Sequence, residues 1–286
     1  LVTEFFKKNG FEAAPDGTPL DPVLRQAKAF KYLMENRAPI IREDDLIAGT
    51  TTDKKIGIVI YPDLGGIFIW PELYTMHYRK LNPYLISEED RRILNEDVFP
   101  YWIDRNMREV ARRNAGNPLC MKLDERFVLY FQWKAHSLSH TIPDFQTVLG
   151  KGLSAIASGA GSLESSSTDS AKKNFCTSVR LCCEGVINYS KNLSKEALRQ
   201  AQAEPDPARK KELENLARIC AKVPANPAET LEEAVNSMWI TWLACHMENT
   251  NAGLSIGRVD KWLQPYFLAD MAKCRDDEER KRTIKR

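Results

Sequence analysis

A largely apolar run, residues 234–247, is followed at once by a small and polar segment that continues to residue 267. Two glycines, Gly253 and Gly257, flank Ser255 within that segment. Because glycine accepts backbone dihedrals that other residues avoid, the pattern predicts a buried element that ends in a tight turn. Turns held by a rigid scaffold are frequent sites of ligand binding.

Apolar residues at helical spacing recur through most of the chain. Helix starts are indicated by Ser87, by Asp169 or Ser170, and by Thr230, which opens a capping-box pattern. Residues 55–61, rich in β-branched side chains, are the best strand candidate. We therefore predict a mostly helical fold with at most a few strands.

The middle of the chain contains one low-complexity stretch, residues 158–170, made mostly of Gly and Ser. We expect it to form an exposed loop. Before it, residues 123–135 and 144–156 are expected to be helices. After it, Phe175 and Val179 begin the predicted buried face of the next helix.

Composition is ordinary for a soluble globular protein. The formal net charge is +2, and acidic and basic residues are mixed, so no basic patch predicts binding to nucleic acid. No run reaches the ~18 apolar residues of a membrane span. The seven cysteines form no regular framework, which favours a reduced, cytoplasmic compartment.

The ends of the sequence suggest a piece of a longer protein. The chain begins with Leu1 rather than Met, and it stops at Arg286 inside a charged segment of helical character. No Gly or Pro terminates that last segment. We expect further sequence beyond it.

Residues 253–257 match the G-x-S-x-G pattern of a serine nucleophile. That motif requires a strand before the serine and a histidine further along the chain. Here a helix is predicted before it, and no histidine follows His246. A serine hydrolase that uses Ser255 is therefore the weakest alternative.

Two histidines, His136 and His140, have the i, i+4 spacing of metal ligands on a helix. No Glu lies between them, and the nearest cysteine, Cys120, belongs to a separate segment. We therefore predict no metal site. His140 lies in a turn that precedes a predicted helix N-terminus, a setting suited to orienting a polar ligand.

The order of several motifs resembles the N-terminal part of the glycyl radical enzymes, the pyruvate formate-lyase family. The matching segments cover most of the chain: residues 25–28, 45–49, 61–62, 139–140, 184–190, 206–213, 217–224, 227–230, 232–234, 248–260 and 265–267. The resemblance implies that residues 1–286 are the N-terminal helical portion of a ten-stranded α/β barrel. The barrel core and the glycyl radical domain would be missing from this portion.

Catalysis in this family depends on a protein glycyl radical and a cysteine thiyl radical in a cavity closed to water. The resemblance places both residues beyond Arg286, so we expect no catalytic residue, bound cofactor or metal in this portion, and no turnover by it alone. The implied partners are a radical S-adenosylmethionine activating enzyme and a second copy of the chain in a homodimer.

The resemblance also suggests where substrate lies, with His140, Tyr130, Asn251 and Ala252 as pocket candidates. In the glycerol- and choline-type enzymes a polar His-Ser pair stands where this chain has Ala252 and Gly253. Loss of such hydrogen-bonding groups disfavours a polyol, so an apolar or aryl substrate is expected.

Segments 61–63, 99–102 and 140–145 are most similar to the alkyl- and arylsuccinate synthases, which add a hydrocarbon to fumarate. That addition is the first expectation. An arylacetate decarboxylase, a C–O lyase or dehydratase, and a non-catalytic helical scaffold are the alternatives.

The remaining residues of the turn are expected to be structural. Gly253, Ser255 and Gly257 would form the bend. Arg258 and Asp260 would form a buried ion pair or cap a helix.

Overall fold

A computed structural model describes residues 1–126, 128, 141–248 and 253–285, without the side chains of Arg282 and Lys285. The chain forms two compact units, the first from residues 1–55, 142–248 and 255–286, the second from residues 56–141 and 249–254. The α-helices within the described ranges are α1 Val2–Asn9, α2 Pro22–Asn36, α3 Glu88–Ile93, α4 Phe99–Trp102, α5 Met107–Asn114, α6 Pro118–Glu125, α7 Phe145–Ser166, α8 Ser170–Ala203, α9 Pro207–Lys222, α10 Leu231–Glu248, α11 Val259–Lys273 and α12 Asp277–Lys285.

The 34-residue helix α8 is the centre of the first unit, and α2, α7 and α9 pack against it. Its start is fixed by Asp169, whose carboxylate accepts hydrogen bonds from the Ala171 and Lys172 N–H groups. On its buried face, the Ser190 hydroxyl donates to the carbonyls of Cys220 and Val223 at 2.8 and 2.7 Å. Such bonds satisfy carbonyls at the end of α9 and fix the register of α8 on that helix.

The predicted apolar element is helix α10, and ten of its eighteen residues are buried. Thr230 caps it by accepting a hydrogen bond from the Glu233 N–H at 3.2 Å, as the sequence predicts. The Glu233 carboxylate reaches back to the Glu229 N–H at 2.9 Å. Its other contacts are ion pairs with Arg218 and Lys222 at 3.0 and 2.8 Å, so this buried charge is balanced.

The segment 48–50 lies against α10 and is held by three hydrogen bonds. Asn236 accepts from the Ala48 N–H at 3.1 Å, and the Trp239 Nε1–H donates to the Gly49 carbonyl at 2.9 Å. Arg37 donates to the Thr50 carbonyl at 2.5 Å. These bonds fix an irregular segment on the helices of the first unit.

The second unit is built from short helical turns around Leu73, Met76 and Phe99. Two 3₁₀ segments, Gly66–Glu72 and Met76–Tyr78, precede α3, and a π-helical turn, Leu94–Val98, joins α3 to α4. The Ser87 hydroxyl caps α3 by accepting from the Asp90 N–H at 3.0 Å, which confirms the predicted helix start.

The strand predicted for residues 55–61 is not formed. The described part of the chain has no strand to pair with it, and Ile56 is 97% exposed. A β-branched sequence favours a strand only where a neighbouring strand and a half-buried face exist. The prediction was therefore wrong for this segment.

The loop predicted for residues 158–170 is also wrong, because α7 continues to residue 166. Ala160 is buried, and Glu164 accepts a hydrogen bond from Thr177 of α8 at 2.8 Å. Packing against α8 therefore overrides the low helix propensity of Gly and Ser. Phe175, expected on the buried face of α8, is 61% exposed.

The helix predicted for residues 123–135 begins earlier, at Pro118, and α6 ends at Glu125. Asn117 caps it by accepting from the Leu119 N–H at 3.0 Å. The rest of the predicted helix lies outside the described residues, apart from residues 126 and 128.

Candidate functional site

The candidate turn after α10 is described from Gly253 onward. Of the two glycines predicted to permit the bend, Gly257 has φ +66°, a conformation that favours glycine, and Gly253 has no positive φ. Ser255 is exposed and lies between two helices, α10 and α11.

Arg258 and Asp260 form the predicted ion pair, with two hydrogen bonds of 2.9 and 2.7 Å. The pair is not buried, since the side chains are 74% and 62% exposed. Hydrogen bonds from Arg258 lower the pKa of Asp260 to about 2. Arg258 occupies the N-cap position of α11 but makes no side-chain capping bond. Its role is local, at the solvent-facing start of that helix.

Within the second unit, Thr141 and Leu254 form an isolated parallel β-bridge. In the chain, Thr141 directly follows His140, and Leu254 comes two residues after Ala252. The bridge therefore joins Thr141 to Leu254, two residues that each follow closely after a predicted pocket residue in the chain. The pocket candidates His140, Tyr130, Asn251 and Ala252 themselves lie outside the described residues.

The last turns of α10 carry a ladder of stacked rings. Trp239 and Trp242 lie 5.2 Å apart between centroids and 14° from parallel, and Trp242 and His246 lie 4.9 Å and 12° apart. Burial disfavours the charged imidazolium and lowers the pKa of His246. The imidazole of this ladder is therefore favoured in its neutral form, at the end of α10 that precedes the candidate turn.

Two thiols and a carboxyl accompany the ladder. Burial, with the nearby carboxyl of Glu248, raises the pKa of Cys182 to about 12 and that of Cys245 to about 11. Desolvation by the surrounding atoms also raises the pKa of Glu248. Thiols in this setting stay protonated and are poor nucleophiles and metal ligands.

An open groove of about 540 Å³ lies in the second unit. Its lining is mostly apolar and aromatic: Ile67, Phe68, Trp70, Pro71, Asn95, Ile103, Asn106 and Glu109. The polar groups of Asn95 and Asn106 are engaged with Trp70 and with the backbone of α4 and α5. The groove presents no set of converging reactive groups.

Several structural residues near the site were not singled out from the sequence. Asn236, Trp239 and Trp242 follow one another at spacings of three along α10, a pattern that also suits simple core packing. Trp262 lies in the segment first considered, but only its contacts across the fold distinguish it from other aromatic residues.

No group of His, Cys, Asp or Glu in the described ranges has the arrangement of a metal site. All seven cysteines are free thiols. Of the described helices, none combines the length and the apolar character that a membrane crossing requires.

The chain matches the pyruvate formate lyase-like family model over residues 1–284. It is 31% identical to isethionate sulfite-lyase from Nitratidesulfovibrio vulgaris over 282 residues, covering 93% of this chain and 34% of that protein. It is 28% identical to trans-4-hydroxy-L-proline dehydratase from Clostridioides difficile, covering 98% of this chain and 35% of that protein. A glycyl radical enzyme structure from Archaeoglobus fulgidus superimposes with a TM-score of 0.86 at 31% identity, covering 96% of this chain and 35% of that one.

These comparisons bear on two expectations. The helical architecture agrees with the N-terminal part of solved glycyl radical enzymes, which confirms the predicted fold class. The relatives are a carbon–sulfur lyase and a dehydratase rather than succinate synthases, so the assignment to the alkyl- and arylsuccinate synthase side is not supported. The chain spans about a third of the length of each relative.

Proposed function

The chain belongs to the pyruvate formate lyase-like family, and we propose that it is the N-terminal helical portion of a glycyl radical enzyme that breaks a C–O or C–S bond in a small organic acid. The observation that carries this proposal is the similarity, at 31% and 28% identity over nearly the whole chain, to a sulfite-lyase and a dehydratase. The lyase alternative from the sequence thereby replaces fumarate addition as the first choice.

The names of the two relatives support a small organic acid as substrate, and one position of this chain disfavours a polyol. Isethionate and trans-4-hydroxy-L-proline, named in the two relatives, are both acids. In this chain Ala252 and Gly253 replace the polar pair expected in polyol enzymes. A site that has lost those hydrogen-bonding groups discriminates against a neutral diol.

The complete enzyme would use a cysteine thiyl radical to remove a hydrogen atom from the carbon next to the C–O or C–S bond. The substrate radical would then lose water or sulfite, and the resulting product radical would take a hydrogen atom back from the cysteine thiol, which restores the thiyl radical. Helix α10, with its stacked rings, would form part of the wall around the substrate. Preorganised walls of this kind hold the reacting bond in position and exclude water.

The proposal extends to the partners of the complete protein. A radical S-adenosylmethionine enzyme would install the glycyl radical, and two copies of the chain would form a homodimer. Because the radical is destroyed by oxygen, the enzyme would work in an anaerobic cytoplasm.

Fumarate addition to an apolar hydrocarbon is the second candidate, favoured by the same lack of a polar group at Ala252. Arylacetate decarboxylation is a further alternative. Both act without a polar hydroxyl on the substrate, which distinguishes them from diol dehydration.

The test uses the full-length gene, expressed without oxygen together with its activating enzyme. Electron paramagnetic resonance measures the glycyl radical, and mass spectrometry follows products from isethionate, trans-4-hydroxy-L-proline, glycerol, phenylacetate, and toluene with fumarate. We expect a radical signal and turnover of an acid with loss of water or sulfite. Benzylsuccinate or toluene as the main product would refute the lyase, and glycerol dehydration would refute an acid as the substrate. Absence of any radical would favour the non-catalytic scaffold.

A further inference from the structure

Helix α7 is divided at Gly152 into two parts of different character. Gly152 has φ +75° and ψ 158°, values outside the helical region, so the helical path breaks there. The first part, residues 145–154, contains five of the six buried residues of α7: Phe145, Val148, Leu149, Gly152 and Leu153. Backbone hydrogen bonds of 2.8 and 3.0 Å also join the N–H groups of Leu153 and Ser154 to the segment after α9. This part is therefore fixed in the core of the first unit.

The second part of α7, residues 155–166, has few contacts that hold it. Of these residues, all of them described, Ala160 is the one that is buried. The composition is also unfavourable for a helix, since half of these residues are Gly or Ser. Helices of this length are marginal in water even with better sequences. The helix over these residues is therefore only weakly stabilised.

Neither glycine of the second part is required by the packing. Gly159 and Gly161 are helical, and beyond the local helix backbone an added Cβ atom would meet nothing within 4 Å at either position. Three serine hydroxyls bond to carbonyls of the preceding turn at 3.1, 2.9 and 3.2 Å: Ser162, Ser165 and Ser166. Bonds of this kind compete with the helical N–H groups for the same carbonyls and slightly destabilise a helix. The sequence thus places weak helix formers where the fold would accept alanine.

The Glu164 side chain joins the second part of α7 to α8. Its carboxylate accepts a hydrogen bond from the Thr177 hydroxyl at 2.8 Å and lies 3.7 Å from the Arg180 guanidinium. Arg180 also pairs with Glu184 of its own helix at 2.9 Å, and it keeps this partner when Glu164 moves away. The charged groups are partly exposed, so the ion pair adds little, and the hydrogen bond from Thr177 is the main polar attachment.

We propose that residues 155–166 form a strap that opens from α8 while the rest of the first unit stays folded, with Gly152 as the hinge and Glu164 as the latch. Local opening occurs where few apolar contacts are buried and the backbone hydrogen bonds are exposed to solvent. The bonds of Leu153 and Ser154 confine the opening to the strap, because they hold the chain on the other side of its start. Opening would expose the surface of α8 around Thr177. It is independent of the reaction that the complete enzyme carries out.

Amide hydrogen exchange, followed by mass spectrometry on the full-length protein, measures the opening of the strap. One variant combines Gly159→Ala with Gly161→Ala, and a second, Thr177→Val, removes the hydroxyl without changing the strap. Gly150→Ala is the matched control, because it adds the same methyl group in open space on the same helix but before the hinge. Limited proteolysis with elastase, which cleaves after small residues, is the second readout.

In the wild type, we expect the strap to exchange at least about 10-fold faster than α8, and elastase to cut first within the strap. The double alanine variant should slow exchange of the strap about 20-fold, since each glycine changes the opening constant about 5-fold. Thr177→Val should raise it about 5-fold, the effect of one lost hydrogen bond. Gly150→Ala should leave it unchanged.

Several results would overturn the strap. One is wild-type exchange over residues 155–166 that is as slow as in α8, and another is unchanged exchange in the double alanine variant. An equal slowing in Gly150→Ala would show that α7 opens as one piece, which contradicts the hinge at Gly152. Exchange of the strap that always changes together with that of α8 and α9 would show global opening instead. None of these readouts depends on turnover, so they stand apart from the test of the proposed function.

Discussion

The substitution Gly49→Ala is expected to destabilise the first unit by far more than a methyl group usually does. Gly49 has φ +92°, a conformation that costs a non-glycine residue about 1–2 kcal/mol. The added Cβ would lie 3.1 Å from the Tyr189 hydroxyl, 3.2 Å from Leu193 and 3.3 Å from Leu243. Relieving that crowding in a packed core costs about 1–3 kcal/mol more. The expected total is about 2–5 kcal/mol.

Gly17→Ala is the matched control for this substitution. Gly17 has φ +86°, but nothing lies within 4 Å of its added Cβ, so only the backbone cost of about 1–2 kcal/mol applies. Urea unfolding followed by tryptophan fluorescence gives both free-energy differences. The crowding argument is refuted if Gly49→Ala loses no more stability than Gly17→Ala.

Three further predictions concern ionisable groups. Desolvation alone would raise the pKa of Glu233, but hydrogen bonds from Lys222, the Glu229 N–H and Arg218 outweigh it and lower the pKa. Because the folded pKa is lowered, the Glu233 carboxylate stabilises the fold at neutral pH, and this contribution is lost as the pH falls below about 4.5. Glu233→Gln should cost about 3 kcal/mol in urea unfolding and reduce that acid dependence, whereas Glu229→Gln, at an exposed partner, should retain it. By NMR, the pKa of His246 should lie below about 6.5, and a raised pKa would contradict its burial. Because the folded pKa is lowered, the contribution of His246 to stability is present above that pH and is lost on acidification. Burial raises the pKa of four thiols to about 11 or 12: Cys182, Cys183, Cys220 and Cys245. Alkylation of these thiols by iodoacetamide at neutral pH should therefore require unfolding, and rapid labelling of them in the native protein would contradict the raised pKa values.

Much of the local structure follows from the sequence because it depends on neighbouring residues. Caps at Ser87, Asp169 and Thr230 are formed as predicted, since each hydroxyl or carboxylate meets an N–H group two or three residues away. The bend at Gly257 is likewise local, because its positive φ favours glycine. The family resemblance identified the fold class, which the structural comparison confirms.

The failed predictions concern segments whose state depends on distant contacts. Residues 55–61 have the composition of a strand but no strand to pair with in the described ranges. Residues 158–166 have the composition of a loop, yet α8 holds them in a helix. Arg258 and Asp260 pair as expected but remain in solvent, because burial is not encoded in the spacing of two charges.

The sequence by itself determined the helical class, the starts of three helices and a glycine bend after α10, because capping, periodicity and glycine dihedrals act over a few residues. Only the tertiary structure decided which residues support that bend. Trp262 meets Phe145 from 117 positions earlier in the chain, and the Gly49 carbonyl meets Trp239 from 190 positions away. Contacts over such separations depend on how the helices pack, and no local pattern specifies them.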